Sequence, residues 1–417
     1  MIYKNAKVFN EGVFEVKDVR VEGNRIVEVG SIACNHTDYN PVVCSLIEYA
    51  PIESGHIENS RMGNEALVSE KVVNEQIIDL EGYYLLPGVI DVHTHGCLGH
   101  DFSNITMEAI AEMEAYYVQN GVTSILATVM TGATEKLLES VKVIRAYQLS
   151  HPESIIKGIH LEGPFFGEAK KGAHESKYLK AIDAEWFEVL DIASGGQIKL
   201  VSIDPTLEGA NDFIKRYSTQ KTIALGHTEA TYAQAKEAVA SGARQITHLF
   251  NAMNGLHHRE PGLFGVMTED DVYAELITDG VHVHTSVVKM CFNANPEKLI
   301  IISDSISAAG LKEGESCMSG GVKVQIKDGK AVTPEGVLAG STYTGYQAMC
   351  EAIRFGIKSS EAIQSATERP AQAVGLKKVG KIEVGYQADL LVVDSTYALK
   401  ATIQAGNMKV GKIFESV

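Results

Sequence analysis

Six histidine and carboxylate residues lie at, or just past, the ends of short apolar runs in this chain. They are His93, His95, Glu162, His227, His248 and Asp304. Neutral imidazoles and carboxylates are common ligands of Zn²⁺ and Fe²⁺ in proteins. A single histidine of this kind means little, because it is often only a hydrogen-bonded polar residue. Six such residues at the ends of five runs indicate a catalytic metal site.

His93 and His95 follow an extended apolar run that covers residues 84–92. On a strand, residues two positions apart point to the same side, so both imidazoles could serve one ion. Cys97 follows two residues later, and we expect it to be a small packed residue rather than a ligand.

The six residues would support hydrolysis. A bound metal lowers the pKa of its water from about 15.7 towards about 7, which supplies hydroxide at neutral pH. Glu162 can bridge two metals or serve one, and Asp304 would pass the proton of that water to a leaving amine. In the competing interpretation, Glu162 and Asp304 only cap the helices that follow them.

The elements that must position these side chains alternate in type from about residue 87. Strand-like runs cover 89–93, 123–128, 155–160, 198–203, 222–225, 245–248, 273–277 and 299–303. Helical stretches lie between or after them, for example at 107–120, 232–240 and 361–366. Eight strands alternating with helices predict a TIM-like (β/α)8 barrel, an α/β fold whose active sites form at the carboxyl ends of the strands.

Short strands at both ends of the chain predict a second, smaller domain. Candidate strands lie at 1–9, 13–16, 25–29, 77–80, 381–385 and 388–394. We therefore expect residues 1–86 and 373–417 to form a small β-sandwich domain and residues 87–372 to form the barrel. Residues 31–75 are polar and turn-rich without a clear period, which indicates an irregular insertion in the small domain.

Composition excludes several classes of partner. The 417 residues carry a net charge of −16 without a basic stripe, so we expect no nucleic-acid partner. No apolar run approaches the roughly 18 residues of a membrane span, and the first residues lack the apolar core of a signal peptide. The six cysteines have no CxxC spacing, which suits reduced thiols in a cytoplasm.

The predicted ligands lie within longer motifs. These are Gly88–Gly96, His160–Phe165, Lys171–His174, Gly226–Thr228, His248–Met253 and Arg259–Gly262. Over about residues 77–395 they resemble, in the same order, the N-acetylglucosamine-6-phosphate deacetylases of the amidohydrolase superfamily. His160–Pro164 and His248–Met253 are characteristic of this family within the superfamily, whereas a His-x-His pair is not.

The resemblance implies roles for the ligands. His93 and His95 would hold one metal with Glu162, and His227 and His248 would hold a second with the same carboxylate. The cofactor would be Zn or Fe, one or two ions per subunit. Asp304 matches the general acid and base and also counts among the metal ligands. His174 matches a residue that contacts the sugar and polarises the amide carbonyl.

The resemblance also implies a phosphate pocket. The backbone amides of Asn251 and Ala252 would bind the phosphate with Arg259 and His282, and the planar fork of arginine suits phosphate oxygens. Part of this pocket would come from a neighbouring subunit, so a homodimer is implied. An ordinary surface charge is the alternative for Arg259, and we expect the adjacent His257 and His258 to face solvent.

Further residues would line the sugar pocket. Ala173 lies beside His174 in a matching motif, and the segment formed by Leu338, Ala339 and Gly340 resembles a sugar-lining loop. For this segment an ordinary turn is the alternative.

The expected reaction is hydrolysis of N-acetyl-D-glucosamine 6-phosphate to D-glucosamine 6-phosphate and acetate by a metal-activated water, a step of amino sugar metabolism. Glu229 stands where the family leads us to expect a small polar amide, and Ile306 and Ser307 also differ. Another phosphorylated N-acetyl amino sugar, such as N-acetylgalactosamine 6-phosphate, and a cyclic amide therefore stay as alternative substrates. A barrel that has lost catalysis and serves as a binding or scaffold protein is a third interpretation.

Overall fold

The computed structural model of the protein describes residues 1–33 and 76–410. Of the predicted insertion at 31–75, residues 34–75 lie outside the described residues. The following labels number the elements in chain order.

Strands and helices alternate over most of the described chain. The strands are β1 (Ile2–Asn10), β2 (Val13–Glu22), β3 (Arg25–Gly30), β4 (Ile77–Asp79), β5 (Tyr84–Pro87), β6 (Val89–Thr94), β7 (Gly96–Cys97), β8 (His100–Asp101), β9 (Val122–Met130), β10 (Ile156–Glu162), β11 (Ile198–Ile203), β12 (Thr222–Leu225), β13 (Gln245–Ile246), β14 (Tyr273–Ile277), β15 (Leu299–Ile302), β16 (Ser316–Ser319), β17 (Val322–Lys327), β18 (Lys330–Val332), β19 (Leu390–Val393), β20 (Leu399–Gln404) and β21 (Asn407–Val410). The helices are α1 (Met107–Gln119), α2 (Thr134–Ser150), α3 (Ala184–Ser194), α4 (Ala210–Tyr217), α5 (Tyr232–Ser241), α6 (Gly262–Glu269), α7 (Thr285–Ala294), α8 (Gly345–Arg354), α9 (Ser359–Ala366) and α10 (Glu368–Ala373).

Eight parallel strands form the barrel in the spatial order β6, β9, β10, β11, β12, β13, β14 and β15. The wall between β15 and β6 is completed just past their ends, where the Asp304 N–H donates to the His93 carbonyl at 3.0 Å. A parallel bridge between Thr94 and Ser305 adjoins this hydrogen bond. The predicted (β/α)8 fold is confirmed, and all eight predicted strands are present.

The sequence explains why these elements form. All nine residues of β9 and all four of β15 are buried, as expected for parallel strands that are covered on both faces. Helix α1 begins after Thr106, whose side chain accepts from the Ala109 N–H. Helix α5 begins with a capping box in which the side chain of Thr231 pairs with Gln234, a device that stabilises a helix start by about 1 kcal/mol.

The two ends of the chain meet in a second eight-stranded sheet. Strand β5 lies between β1 and β19, so that Leu85 pairs with Val8 on one side and Val392 on the other. A separate apolar cluster that includes Tyr3, Leu85 and Ile403 packs on this sheet. The small β domain built from both termini is thus confirmed, whereas the boundaries 1–86, 87–372 and 373–417 stay predictions.

The strand predicted at 381–385 is wrong. Residues 384–385 form a turn, and Gly385 has a φ of +84°, a left-handed conformation that ends an extended run. The Gly385 N–H and the Tyr386 carbonyl bond to the backbone of Ile26, but the pairing amounts to one isolated bridge, between Gln387 and Arg25. The following strand, β19, begins three residues later.

A small antiparallel sheet of β16, β17 and β18 follows the last barrel strand. Its residues Val324 and Ile326 pack against Ile306 and Ala308 of the segment that follows Asp304. No helix in the described ranges 1–33 and 76–410 is long and apolar enough to cross a membrane.

Candidate active site

The barrel brings the six predicted ligands to one rim. His93 lies near the end of β6, Glu162 is the last residue of β10, and Asp304 follows β15 by two residues. His227 and His248 follow β12 and β13 in the same way. All these positions are at carboxyl ends of parallel strands, so the side chains converge.

The backbone at this rim adopts an uncommon conformation. His227, His248 and Asp304 have φ values of 50°, 27° and 49°. Residues other than glycine rarely adopt a positive φ, and those that do cluster at functional sites. The turn directly after each strand therefore points the side chain into the mouth of the barrel.

Glu162 is at the centre of the cluster. Its Oε1 lies 3.1 Å from His227 Nε2, 3.3 Å from His248 Nε2 and 3.5 Å from His93 Nε2. Its Oε2 lies 3.4 Å from His95 Nε2. One carboxylate thus faces four imidazoles from three other strands, as a bridging ligand would.

Asp304 closes the side formed by β6. Its Oδ1 lies 3.4 Å from His93 Nε2 and 3.2 Å from His95 Nε2. The two histidine Nε2 atoms are 3.3 Å apart. Asp304 therefore adjoins the His93–His95 pair and is more distant from His227.

The hydrogen bonds behind the rings show that the donor set fits a cation. The Nδ1–H of His227 donates to the Lys170 carbonyl at 2.9 Å, and the Nδ1–H of His93 donates to Glu275 at 2.8 Å. When the ring carries only this hydrogen, the lone pair of Nε2 points at Glu162, which is itself an acceptor. Acceptors that face one another at such distances are stabilised by a divalent cation between them, and imidazole with carboxylate is a ligand set for Zn²⁺ or Fe²⁺.

The local charges differ across the cluster. Burial favours the neutral form of His93, but Glu275, Glu162 and Asp304 together raise its pKa well above the ordinary value. Burial lowers the pKa of His227 to about 4, because this ring faces a single carboxylate and two other imidazoles. Burial alone would raise the pKa values of Glu162 and Asp304, but neighbouring histidines, His93 first, lower both, so the two carboxyl groups are ionised at neutral pH.

His174 joins the cluster from the loop after β10. Its Nδ1 lies 2.7 Å from the Thr131 hydroxyl, and its Nε2 lies 3.5 Å from Glu162 Oε2. The preceding Gly172 has a φ of +57°, and a Cβ there would lie 3.2 Å from the His227 ring, so this loop requires glycine. Ala173 is an exposed residue of the same loop.

The turn after His248 holds two predicted phosphate ligands. The Asn251 N–H donates to the His248 carbonyl at 2.9 Å, so this amide is already used within the turn. Ala252 has a φ of 49°, and within the described residues its N–H donates to no other group. Of the two predicted backbone donors, the amide of Ala252 is the one left to bind a ligand.

Arg259 and His282 differ in how they are held. Arg259 is exposed, and its guanidinium bonds to the neighbouring His258 Nε2 at 2.7 Å. The ring of His282 is largely buried and bonds through Nδ1 to Asp279 at 2.6 Å. Burial opposes protonation of His282, but Asp279 raises its pKa above the ordinary value. The structure brings neither residue into contact with the six converging ligands.

The segment Leu338–Gly340 lies beside the general acid predicted at residue 304. The Ser341 N–H donates to the Asp304 carbonyl at 3.1 Å. Gly340 has a φ of +134°, and a Cβ there would lie 2.6 Å from Ile306 Cγ2. This close approach to the loop after β15 explains the glycine.

Two neighbouring predictions are confirmed. Cys97 is fully buried, and burial raises the pKa of its thiol to about 12, so it packs as a protonated side chain. His257 and His258 are exposed.

Sequence reasoning missed three groups that support the cluster. The sequence offered a signal for Glu275, because it is a single carboxylate inside the apolar run of β14. For Thr131, which bonds to His174, it offered no signal beyond the position after β9. The Lys170 carbonyl that fixes His227 is backbone, so residue identity could not reveal it.

Comparisons with known proteins agree with this geometry. The Amidohydrolase family matches residues 84–414. The N-acetylglucosamine-6-phosphate deacetylase of Bacillus subtilis is 34% identical over 333 residues, which cover 78% of this chain and 84% of that protein. The N-acetylgalactosamine-6-phosphate deacetylase of Escherichia coli O157:H7 is 31% identical, with 76% and 86% covered. A mutant N-acetyl-D-glucosamine-6-phosphate deacetylase of Mycobacterium smegmatis, solved with N-acetyl-D-glucosamine-6-phosphate, superposes with a TM-score of 0.83 at 28% identity over 98% of each chain.

Proposed function

The chain belongs to the amidohydrolase family, and we propose that it hydrolyses N-acetyl-D-glucosamine 6-phosphate to D-glucosamine 6-phosphate and acetate. The observation that carries this proposal is the convergence of four imidazoles on Glu162, with Asp304 beside His93 and His95. The relatives that share most of the chain and are named for this reaction support the choice of substrate.

The proposed metal ligands are the six converging residues. His93 and His95 with Glu162 would hold one ion, His227 and His248 with Glu162 a second, and Asp304 adjoins the first group. We propose one or two Zn or Fe ions per subunit, on the chemistry of the donor set. A bound divalent ion would lower the pKa of water and so supply hydroxide near neutral pH.

Asp304 is the proposed general base and general acid. Because its pKa is lowered, it is ionised at neutral pH and can take a proton as water adds to the amide carbon. It would return that proton to the nitrogen as the C–N bond breaks. The second proton of the water is then on the carboxyl product, and at neutral pH it is transferred to the amine, so that the products are acetate and the protonated amine.

His174 is proposed to stabilise the amide oxygen. When the Thr131 hydroxyl donates to Nδ1, the ring hydrogen is on Nε2, which faces Glu162. A hydrogen-bond donor fixed at this position can stabilise the negative charge that develops on the oxygen. Ala173 and the segment Leu338–Gly340 would line the sugar pocket around it.

The phosphate end is proposed to contain the Ala252 amide, Asn251, Arg259 and His282. Arg259 is exposed and bonds only within its own loop among the described residues, so its orientation needs another partner. We propose a homodimer in which a neighbouring subunit completes this end of the pocket. We also propose a cytoplasmic location, supported by the free thiols of Cys97, Cys291, Cys317 and Cys350.

The galactosamine epimer is the second candidate substrate. Glu229 is exposed directly after the His227–Thr228 pair, and its carbonyl accepts from Asn254. A carboxylate here would meet sugar hydroxyls differently from a small amide. The similarity to a galactosamine-type enzyme also favours keeping this candidate.

A substrate panel tests the proposal. Steady-state acetate release is measured for N-acetylglucosamine 6-phosphate, its galactosamine epimer and plain N-acetylglucosamine, with the metal content of the same sample determined by elemental analysis. The proposal expects the highest kcat/KM for N-acetylglucosamine 6-phosphate. No acetate release from metal-loaded protein would refute it, and faster turnover of the epimer would make the epimer the assigned substrate instead.

A further inference from the structure

Glu275 is a buried carboxylate for which the proposed reaction has no direct use. It lies on β14 and is fully buried, in the interior of the barrel. Barrel interiors are normally filled by branched aliphatic side chains. A charge at this depth is costly unless donors satisfy it, so its partners indicate what it does.

Three donors satisfy Glu275, and two belong to predicted metal ligands. Oε2 accepts from His93 Nδ1 at 2.8 Å and from the His248 backbone N–H at 3.1 Å. Oε1 accepts from Gln245 Nε2 at 2.6 Å. Strand β14 does not pair with β6, so this carboxylate links ligands of separate strands across the interior.

The bond to His93 fixes which nitrogen can bind a metal. A carboxylate accepts only, so Nδ1 must carry a hydrogen, and in the neutral, metal-binding form of the ring the Nε2 lone pair then faces Glu162 and Asp304. His95 and His248 differ, because in the described part of the chain the Nδ1 of each has no hydrogen-bond partner. His93 is therefore the ligand whose tautomer and ring orientation are set by a charged group.

We propose that Glu275 is the positioning residue of the metal centre: it holds His93 in the metal-binding tautomer and ties it to the His248 backbone. This inference rests on the proposed function only in that both require a metal at these residues. Glu275 touches no reacting atom. Removing it should loosen the metal held by His93 and His95, because orienting partners of this kind typically contribute about 10- to 100-fold to metal affinity.

Competition with a chromophoric chelator, with Zn²⁺ as the probe and no substrate, tests the proposal. We expect Glu275→Leu to lower the affinity of the more weakly held ion by about 10- to 100-fold, and Glu275→Gln, which keeps an acceptor, by an intermediate factor. A Co²⁺-loaded sample adds a spectroscopic signature, since the visible absorption of Co²⁺ reports the geometry of its ligands. That spectrum should change in Glu275→Leu.

Asp91→Asn is the matched control. Asp91 is also a fully buried carboxylate, but it accepts from the backbone N–H of His93, at 3.4 Å, and not from the ring. It also accepts from the Ser303 N–H, at 3.3 Å. The Asp91→Asn variant should bind Zn²⁺ with an affinity within about threefold of that of the parent protein, a smaller change than the one expected on loss of an orienting partner. The proposal is overturned if both Glu275 variants also stay within that range, or if Asp91→Asn weakens the metal as much as they do.

Folding is controlled separately. The melting temperature of metal-free protein is measured for each variant, and if Glu275→Leu does not fold, Glu275→Gln decides the outcome alone. Because these readouts need no substrate, a failure here is distinct from a failure to release acetate from N-acetylglucosamine 6-phosphate.

Discussion

The two ends of the proposed substrate pocket differ in how far one chain completes them. At the metal end, Glu162 and its four histidines are all buried, and His93 and His227 are oriented by partners behind the ring. At the phosphate end, Arg259 is exposed, and among the described residues its guanidinium bonds only to the neighbouring His258. The residues of the proposed metal end are thus preorganised by the fold, whereas the proposed phosphate end would need the substrate or a second subunit to order it.

The difference has a physical cause. The proposed metal ligands lie at strand ends, where the hydrogen-bonded register of the barrel fixes the position of each backbone. Arg259 lies on a surface loop between β13 and α6, and its long side chain keeps rotamer freedom that binding must remove. Mutations at the two ends should therefore act on different kinetic constants.

Among single substitutions, the largest effect is expected at Asp304. Asp304→Asn keeps the shape but cannot accept or return a proton, so kcat should fall by about 10²- to 10⁴-fold. Acetate release under saturating substrate measures this change. The metal content of the variant is the control, and a kcat within threefold of the parent at equal metal content contradicts the assigned role.

Metal removal should reduce activity at least as much as that substitution. Dialysis against a chelator removes ions bound between the histidines and carboxylates of the cluster, so activity should disappear. The melting temperature should also fall, because an ion that binds only the folded protein stabilises it. Calorimetry of chelated and reloaded samples measures the second change. Unaltered melting on reloading with Zn²⁺ or Fe²⁺ would show that the convergent cluster is not a metal site.

At the phosphate end, Arg259→Ala should raise KM for N-acetylglucosamine 6-phosphate by about 10- to 100-fold, the worth of a charge-assisted hydrogen bond. Plain N-acetylglucosamine should be turned over as before. Arg216→Ala, which removes an exposed arginine paired with Glu188 on the outside of the barrel, is the matched control. An equal loss for both sugars would contradict the phosphate assignment and the contrast between the two ends.

The smallest effect is expected at Thr131. Thr131→Val removes the hydroxyl that holds His174, so kcat should fall by about fivefold, the worth of one neutral hydrogen bond, with KM little changed. Thr131→Ser keeps the hydroxyl and should restore kcat. A change in KM alone would show that His174 binds substrate without acting on the amide.

The sequence predicted the parts of this molecule that repeat a pattern. Alternating strands and helices located all eight barrel strands, and polar residues after five of the apolar runs located the six residues that converge at one rim. The strand predicted at 381–385 failed because the pattern of apolar residues does not register the left-handed turn at Gly385.

Contacts that cross the barrel were not predictable in the same way. Glu275 meets His93 across 182 residues of sequence, and the Lys170 carbonyl meets His227 through backbone alone. Such pairs depend on strand order and loop geometry, which a single chain's residue pattern does not specify. The insertion predicted at 31–75 falls mainly on residues outside the described structure.

Metal titration of chelated protein tests the central claim most directly, with acetate release from N-acetylglucosamine 6-phosphate followed in the same samples. The account predicts no release without metal and a rise in rate that levels off at one or two equivalents per subunit. Full activity in the metal-free protein, or no acetate from protein carrying stoichiometric metal, would contradict it.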